Sequence, residues 1–186
     1  MEEDILLKQK AFFDAGNTVD TRSRRAMLQI LANTVKDLQG ENPETEGLLS
    51  CISDIRKNLY KWTGTGTLRM MLSLFAKPSK YGPAPLGATL IDASAADSLE
   101  AVLTPLVCAL AAGNTAVVLT PDSEIGEAVR RIVDETFTDD YVAAVKAGSE
   151  EAGALEPQAF DFVHACSSSL SSALEGFCSF SKMPED

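Results

Sequence analysis

Histidine is almost absent from this chain and cysteine is thinly spread. His164 is the single imidazole, and Cys51, Cys108, Cys166 and Cys178 stand far apart with no CxxC pair. A structural zinc site needs converging thiolates or imidazoles, and a disulfide scaffold needs a denser cysteine framework, so no metal site and no disulfide set is signalled. Basic residues are also short: 16 Lys and Arg stand against 27 Asp and Glu, a formal net charge of -11. Gripping a polyanion requires cations that neutralise phosphates, so nucleic acid is excluded as a partner, and an anionic membrane surface is disfavoured for the same reason. The opening MEEDILLKQKAFF is acidic and has no long apolar core, which does not read as a secretion signal or a spanning helix. The expected location is cytoplasmic. Internal repeats and low-complexity tracts are lacking too, apart from a serine cluster near the C-terminus.

What the chain does contain is enough apolar residue, 45%, for one buried core. From Asp20 onward, TRSRRAMLQILANTVKDL sets Leu28, Leu31, Val35 and Leu38 at three- and four-residue intervals, the signature of a helix with one apolar face. ENPETEG breaks the pattern, and LLSCISDIRKNLYKW resumes it with Leu48, Cys51, Ile52, Ile55 and Leu59. A connector, TGTGTLRMMLSLFAKPSKYGPAP, carries an apolar insert from Leu68 to Phe75. Beyond Pro85 the pattern changes to strand and helix in alternation. Strands are predicted at 88–91, 115–119, 141–145 and 160–164, with helices at 99–112, 125–137 and 149–155 between them and a last one at 168–174. Gly113-Asn114 is a helix stop.

Such alternation implies right-handed crossovers and a parallel sheet. The expected class is α/β: N-terminal helices plus a half Rossmann-like, mostly parallel sheet of about four strands with flanking helices. A single domain spans 1–186, divided into a helical region 1–82, a βα core 83–176 and a tail 177–186.

The order of these elements resembles the first, cofactor-binding portion of aldehyde dehydrogenases, particularly the fatty-aldehyde branch. The resemblance is carried by FFDAGNTVDTRSRRAMLQIL in the opening helix, NLYKW before the connector, PLG at the first strand, TPLVCALAAGNTAVVLTP, and FDFV at the fourth strand. It covers roughly 12–175 and implies a truncated member of that superfamily. It also implies losses. The family's loop after the first strand reads proline, tryptophan, asparagine, and the asparagine amide donates to an oxyanion. Here the loop is Asp92-Ala93-Ser94-Ala95-Ala96-Asp97, with alanines in place of both residues, so that donor is missing. A lysine that reaches the adenosine ribose is replaced by Thr120 before Pro121, and two glycines that let backbone amides approach the pyrophosphate align with Ser167 and Ser172. The family's nucleophilic cysteine and general-base glutamate fall beyond the residues this chain supplies, and none of its cysteines aligns with the nucleophile. No bound cofactor is therefore expected, and NAD-dependent oxidation is not.

What remains is a set of candidates with two readings each. His164, at the end of the fourth strand, is either an acid-base group or a half-buried imidazole bonded to backbone. Asp92 is a carboxylate able to carry protons, whereas Asp97 reads as the cap of a helix starting at Ser98. Ser94 and Cys166 can line the vacated crevice, and Ala95 and Ala96 enlarge it. Trp62, Met70, Met71 and Phe75 either wall a hydrophobic cavity or are ordinary core. The expected catalytic set is His164, Asp92 and Ser94. The expected function is redox-inactive reuse as a cofactor-independent enzyme that binds a hydrophobic small molecule and promotes a cyclisation or isomerisation. The other reading is a non-catalytic partner. A face stripped of its covering half invites a homo-oligomer or another protein.

Overall fold

The computed structural model describes residues 5–40, 43–62 and 85–166. Helix α1 runs over Ile5–Asp14, α2 over Thr21–Gln39 and α3 over Pro43–Trp62. The βα core follows: β1 (Ala88–Asp92), α4 (Leu99–Ala112), β2 (Thr115–Thr120), α5 (Glu124–Thr136), β3 (Val142–Lys146), α6 (Glu150–Ala154), a 3-10 turn at Pro157–Ala159, and β4 (Phe162–Ala165). The four strands form one parallel sheet in the order β3-β2-β1-β4. This is the α/β class that the alternating pattern predicts.

Helix boundaries follow the chemistry of their ends. Asp20 caps α2: its carboxylate accepts from the Ser23 N–H at 2.8 Å and the Ser23 hydroxyl at 2.7 Å, and these bonds hold its pKa below the usual carboxylate value. Helix α3 starts inside ENPETEG rather than after it, because a proline is well placed in the first helical turn, where its missing N–H is no loss. Helix α4 ends where Gly113 adopts φ 93, a left-handed conformation costly to other residues, and its N–H returns to the Leu110 and Ala109 carbonyls. The next residue extends that stop: the buried Asn114 side chain accepts from the N–H groups of Leu86 and Gly87, fixing the entry to β1.

Two apolar layers clothe the sheet. On one face Leu28, Leu31 and Val35 of α2, Leu48, Ile52 and Leu59 of α3, and the inner side of α4 and α5 pack on Ile91, Ala116, Val118 and Val142. On the other, Leu6, Val145 and Phe160 gather around Ala88, Leu90 and Val117. Arg24 ties the first layer together. The residue is 8% exposed, and its guanidinium donates to Ala111 O at the C-terminal end of α4, where the helix dipole favours a cation, and to Val19 O.

Helix α1 falls inside the helical region expected over 1–82, ahead of the first helix that the apolar periodicity marks. It is anchored by a buried glutamine: Gln9 Nε2 donates to Ala116 O at 2.7 Å and to Asp139 O at 3.3 Å, while Lys10 Nζ reaches Ala159 O.

Candidate functional site

In an open parallel sheet, ligands gather at the carboxyl ends of two adjacent strands whose connections leave in opposite directions. Here β1 leads through α4 to β2 on one side, while β4 lies on the other, so that switch point is at the ends of β1 and β4. The register pairs Asp92 with Ala165, and the Cys166 N–H donates to Asp92 O at 2.8 Å. Asp92, Ser94, Ala95, Ala96, His164 and Cys166 therefore belong to one edge of the sheet, as the sequence reading has it.

They do not converge equally. Asp92 Oδ1 accepts from both the Ser94 N–H at 3.1 Å and the Ser94 hydroxyl at 2.6 Å, an aspartate turn that closes on itself. Ala95 is exposed and Ala96 half-buried. His164 is half-buried and pairs with Ile91, so strand alternation puts its side chain on the α4 face of the sheet and that of Asp92 on the opposite face. A shared proton relay between the two is not built into the strands.

Two roles differ from expectation. The cap of α4 is Ser98, whose hydroxyl accepts from the Ala101 N–H at 3.2 Å; Asp97 is exposed and does not cap it. An aspartate one residue too early cannot reach the first free amides from the extended cap conformation that Ser98 occupies. Cys166 has a structural role besides the expected crevice lining. Pro105 sits inside α4 and has no N–H for the carbonyl four residues back, that of Ala101. The Cys166 thiol donates to Ala101 O at 3.5 Å. Burial, followed by the nearby Asp92 charge, pushes the thiol pKa up, which keeps the proton on the donor. Cys166 therefore serves the freed carbonyl and is a poor nucleophile.

Of the expected wall residues, Met70, Met71 and Phe75 lie outside the described residues, as do Ser167 and Ser172; Trp62 ends α3, but its side chain is outside the description. At the end of β2, Thr120 is fully buried, and its hydroxyl is engaged by Arg130 and Val145 O. These residues do not fit a dinucleotide ribose, because the polar atom that would meet it is already bonded on both sides.

The sequence reading missed a pair of clefts at the opposite edge of the sheet. One, about 470 Å3, is lined by Phe12, Arg24, Phe137 and Tyr141 among others; its neighbour, about 540 Å3 and more open, adds Lys8, Asp139 and Asp140. Phe12 stacks on Tyr141 with ring centroids 5.3 Å apart, and burial raises the Tyr141 phenol to about 12. The signal for this edge is Phe12 in the opening helix, and it becomes legible only once its distant partner Tyr141 is known. Among the described residues no cluster of His, Cys, Asp or Glu is placed to hold a metal ion, and no helix is long and apolar enough to cross a membrane.

No family model matches the sequence. The chain is 31% identical over 182 residues to 4,4'-diaponeurosporen-aldehyde dehydrogenase of Staphylococcus aureus, an alignment covering 87% of this chain and 39% of that protein. It is 29% identical to rat aldehyde dehydrogenase family 3 member B1, covering 87% of this chain and 38% of the relative. It is 28% identical to family 3 member A2 of Macaca fascicularis, over 78% of this chain and 30% of that protein. Among solved structures, the substrate-bound state of Staphylococcus aureus AldH matches with a TM-score of 0.66 and 29% identity, over 88% of this chain and 40% of that one. The chain thus spans about two fifths or less of the length of these relatives. These identities and the structural match make it an aldehyde dehydrogenase-like protein that resembles the N-terminal, cofactor-binding portion of the superfamily.

Proposed function

We propose that this chain has left the redox chemistry of its relatives and works as a cofactor-independent enzyme on a hydrophobic small molecule, promoting a rearrangement such as a cyclisation or isomerisation. One observation carries the reading. The β1–α4 loop, where the resemblance calls for an oxyanion donor, is the closed Asp92–Ser94 turn followed by Ala95 and Ala96, whose side chains cannot donate. The same residues put only small side chains at the carboxyl end of β1. A rearrangement conserves electrons: a proton passes from one carbon of the substrate to the Asp92 carboxylate and returns to another, with Ser94 orienting the carboxylate. His164 lies on the α4 face of the same sheet end, and it serves to polarise a carbonyl of a substrate long enough to span that end. The relative whose name specifies a diaponeurosporen aldehyde supports an apolar, carbonyl-bearing substrate class.

The test is turnover of apolar polyene aldehydes by the purified chain without nucleotide, followed by product analysis. Asp92→Ala is expected to lower kcat by about 10²- to 10⁴-fold. Hydride transfer to NAD by the isolated chain would contradict the proposal.

A second reading, a non-catalytic protein that binds or regulates a partner, is supported by the outer strand β4, where Phe162 is 44% exposed. Solution mass decides between them: a monomer that turns over substrate unaided excludes the partner role, and a chain active only in complex supports it.

A further inference from the structure

The end of β2 is closed by this chain's own side chains, and we propose that this closure confines the ligand site to the β1–β4 end, leaving it to an apolar molecule and shutting out a dinucleotide. The inference rests on the reading above and narrows its ligand. A dinucleotide spread over the carboxyl edge of such a sheet needs room beside more than one strand end. Here three contacts of this chain lie beside the end of β2, the last of them on the surface. Thr120 Oγ1 donates its one proton to Val145 O at 3.2 Å and accepts from Arg130 Nη1 at 2.7 Å, so the hydroxyl has no donor left for a ligand. The guanidinium comes from α5 and lies over the strand end. Helix α5 also sits against the turn that leaves β2. A Cβ on Gly126 would lie 1.9 Å from Pro121 O and 3.3 Å from Arg130 Nη1, so only a glycine permits this approach. Finally, Asp122 Oδ1 pairs with Lys146 Nζ at 2.8 Å, linking that turn to the end of β3. At the other end of the same edge, Ser94 and Ala95 are exposed and Ala96 is small.

The experiment is calorimetric titration of the full chain with NADH and, separately, with all-trans-retinal as an apolar carbonyl probe, for the wild type and for Arg130→Ala and the double variant Arg130→Ala/Thr120→Ala, which removes both side chains at the strand end. The wild type is expected to show no saturable NADH binding up to about 1 mM. Each variant is expected to bind NADH at least about tenfold more tightly than that limit, with retinal affinity unchanged. Micromolar NADH binding by the wild type overturns the inference. So do folded variants, checked by circular dichroism, that both still exclude NADH. Should retinal fail to bind while the variants gain NADH affinity, the closure stands and the apolar-substrate reading falls.

Discussion

Strands β1 and β4 lie side by side in one parallel sheet, yet they are held differently. Ala88, Thr89, Leu90 and Ile91 are all buried, whereas Phe162 is exposed and Val163, His164 and Ala165 are half-buried. The cause is the number of neighbours. β1 has β2 on one flank, β4 on the other and an apolar layer on each face, so it reads as an unbroken apolar run. β4 has one strand neighbour in the described sheet, and its grip on β1 comes from ladder bonds plus a few side chains. One of these is Asp161, whose carboxylate accepts from the Ala88 N–H at 2.8 Å. The candidate site lies on the seam between the firmly held strand and the lightly held one, which is where a fold can change its chemistry with least loss of stability.

The sharpest way to break this comparison is to cut the same kind of contact on both strands. Leu90→Ala removes a side chain that is 2% exposed, at an expected cost of about 2 to 5 kcal/mol in urea unfolding. Val163→Ala, half-buried on β4, is expected to cost less than about 1 kcal/mol. Equal losses would mean that β4 is buried in solution by something further.

The amino end of β3 gives a second, pH-dependent test. Burial raises the Tyr141 phenol from 10.0 to about 12, with Arg24 pulling it partly back. Between those values the unfolded chain loses the phenolic proton while the folded chain keeps it. Stability is therefore full below pH 10 and falls as pH rises toward 12, by on the order of 2 to 3 kcal/mol. Tyr141→Phe should remove that slope, measured by unfolding at fixed pH steps against the wild type. An unchanged slope would place the effect elsewhere.

A smaller effect tests how α1 is fastened to the central strands. Gln9→Ala takes away the donor to Ala116 O and is expected to cost about 1 to 3 kcal/mol, with faster exchange of α1 amides. No loss would show that Leu6, its apolar neighbours and Lys10 hold α1 without Gln9.

These cases show what was legible in the sequence. Helix α4 runs from Leu99 to Ala112, matching the expected range, because a serine start and a Gly113-Asn114 stop frame an apolar stretch. The four strands announce themselves by β-branched and apolar runs between helices. Helix α1 fits the helical region expected over 1–82, but its fastening does not show in the sequence, because nothing local to Gln9 says that its partner is Ala116, across the whole first half of the chain. The candidate edge was legible, since topology alone places strand ends. The roles of its residues were not: Asp92 closes on Ser94, and Cys166 turns to a carbonyl orphaned by a distant proline, both facts of three-dimensional packing.

That last contact gives the finest test of how β4 is held. If the thiol of Cys166 satisfies the carbonyl freed by Pro105, then Cys166→Ser, which keeps a donor, should leave stability within about 0.5 kcal/mol, whereas Cys166→Ala should cost about 0.5 to 1.5 kcal/mol. The thiol itself gives an independent readout, because burial is the first cause of its raised pKa and the Asp92 charge is the second. Asp92→Asn removes a like charge, so the thiolate becomes easier to form and alkylation by iodoacetamide should set in at a lower pH than in the wild type. A wild-type pH profile in that variant would mean that the carboxylate does not sense the thiol, and the seam between β1 and β4 would then be looser than the hydrogen bond from the Cys166 N–H to Asp92 O indicates.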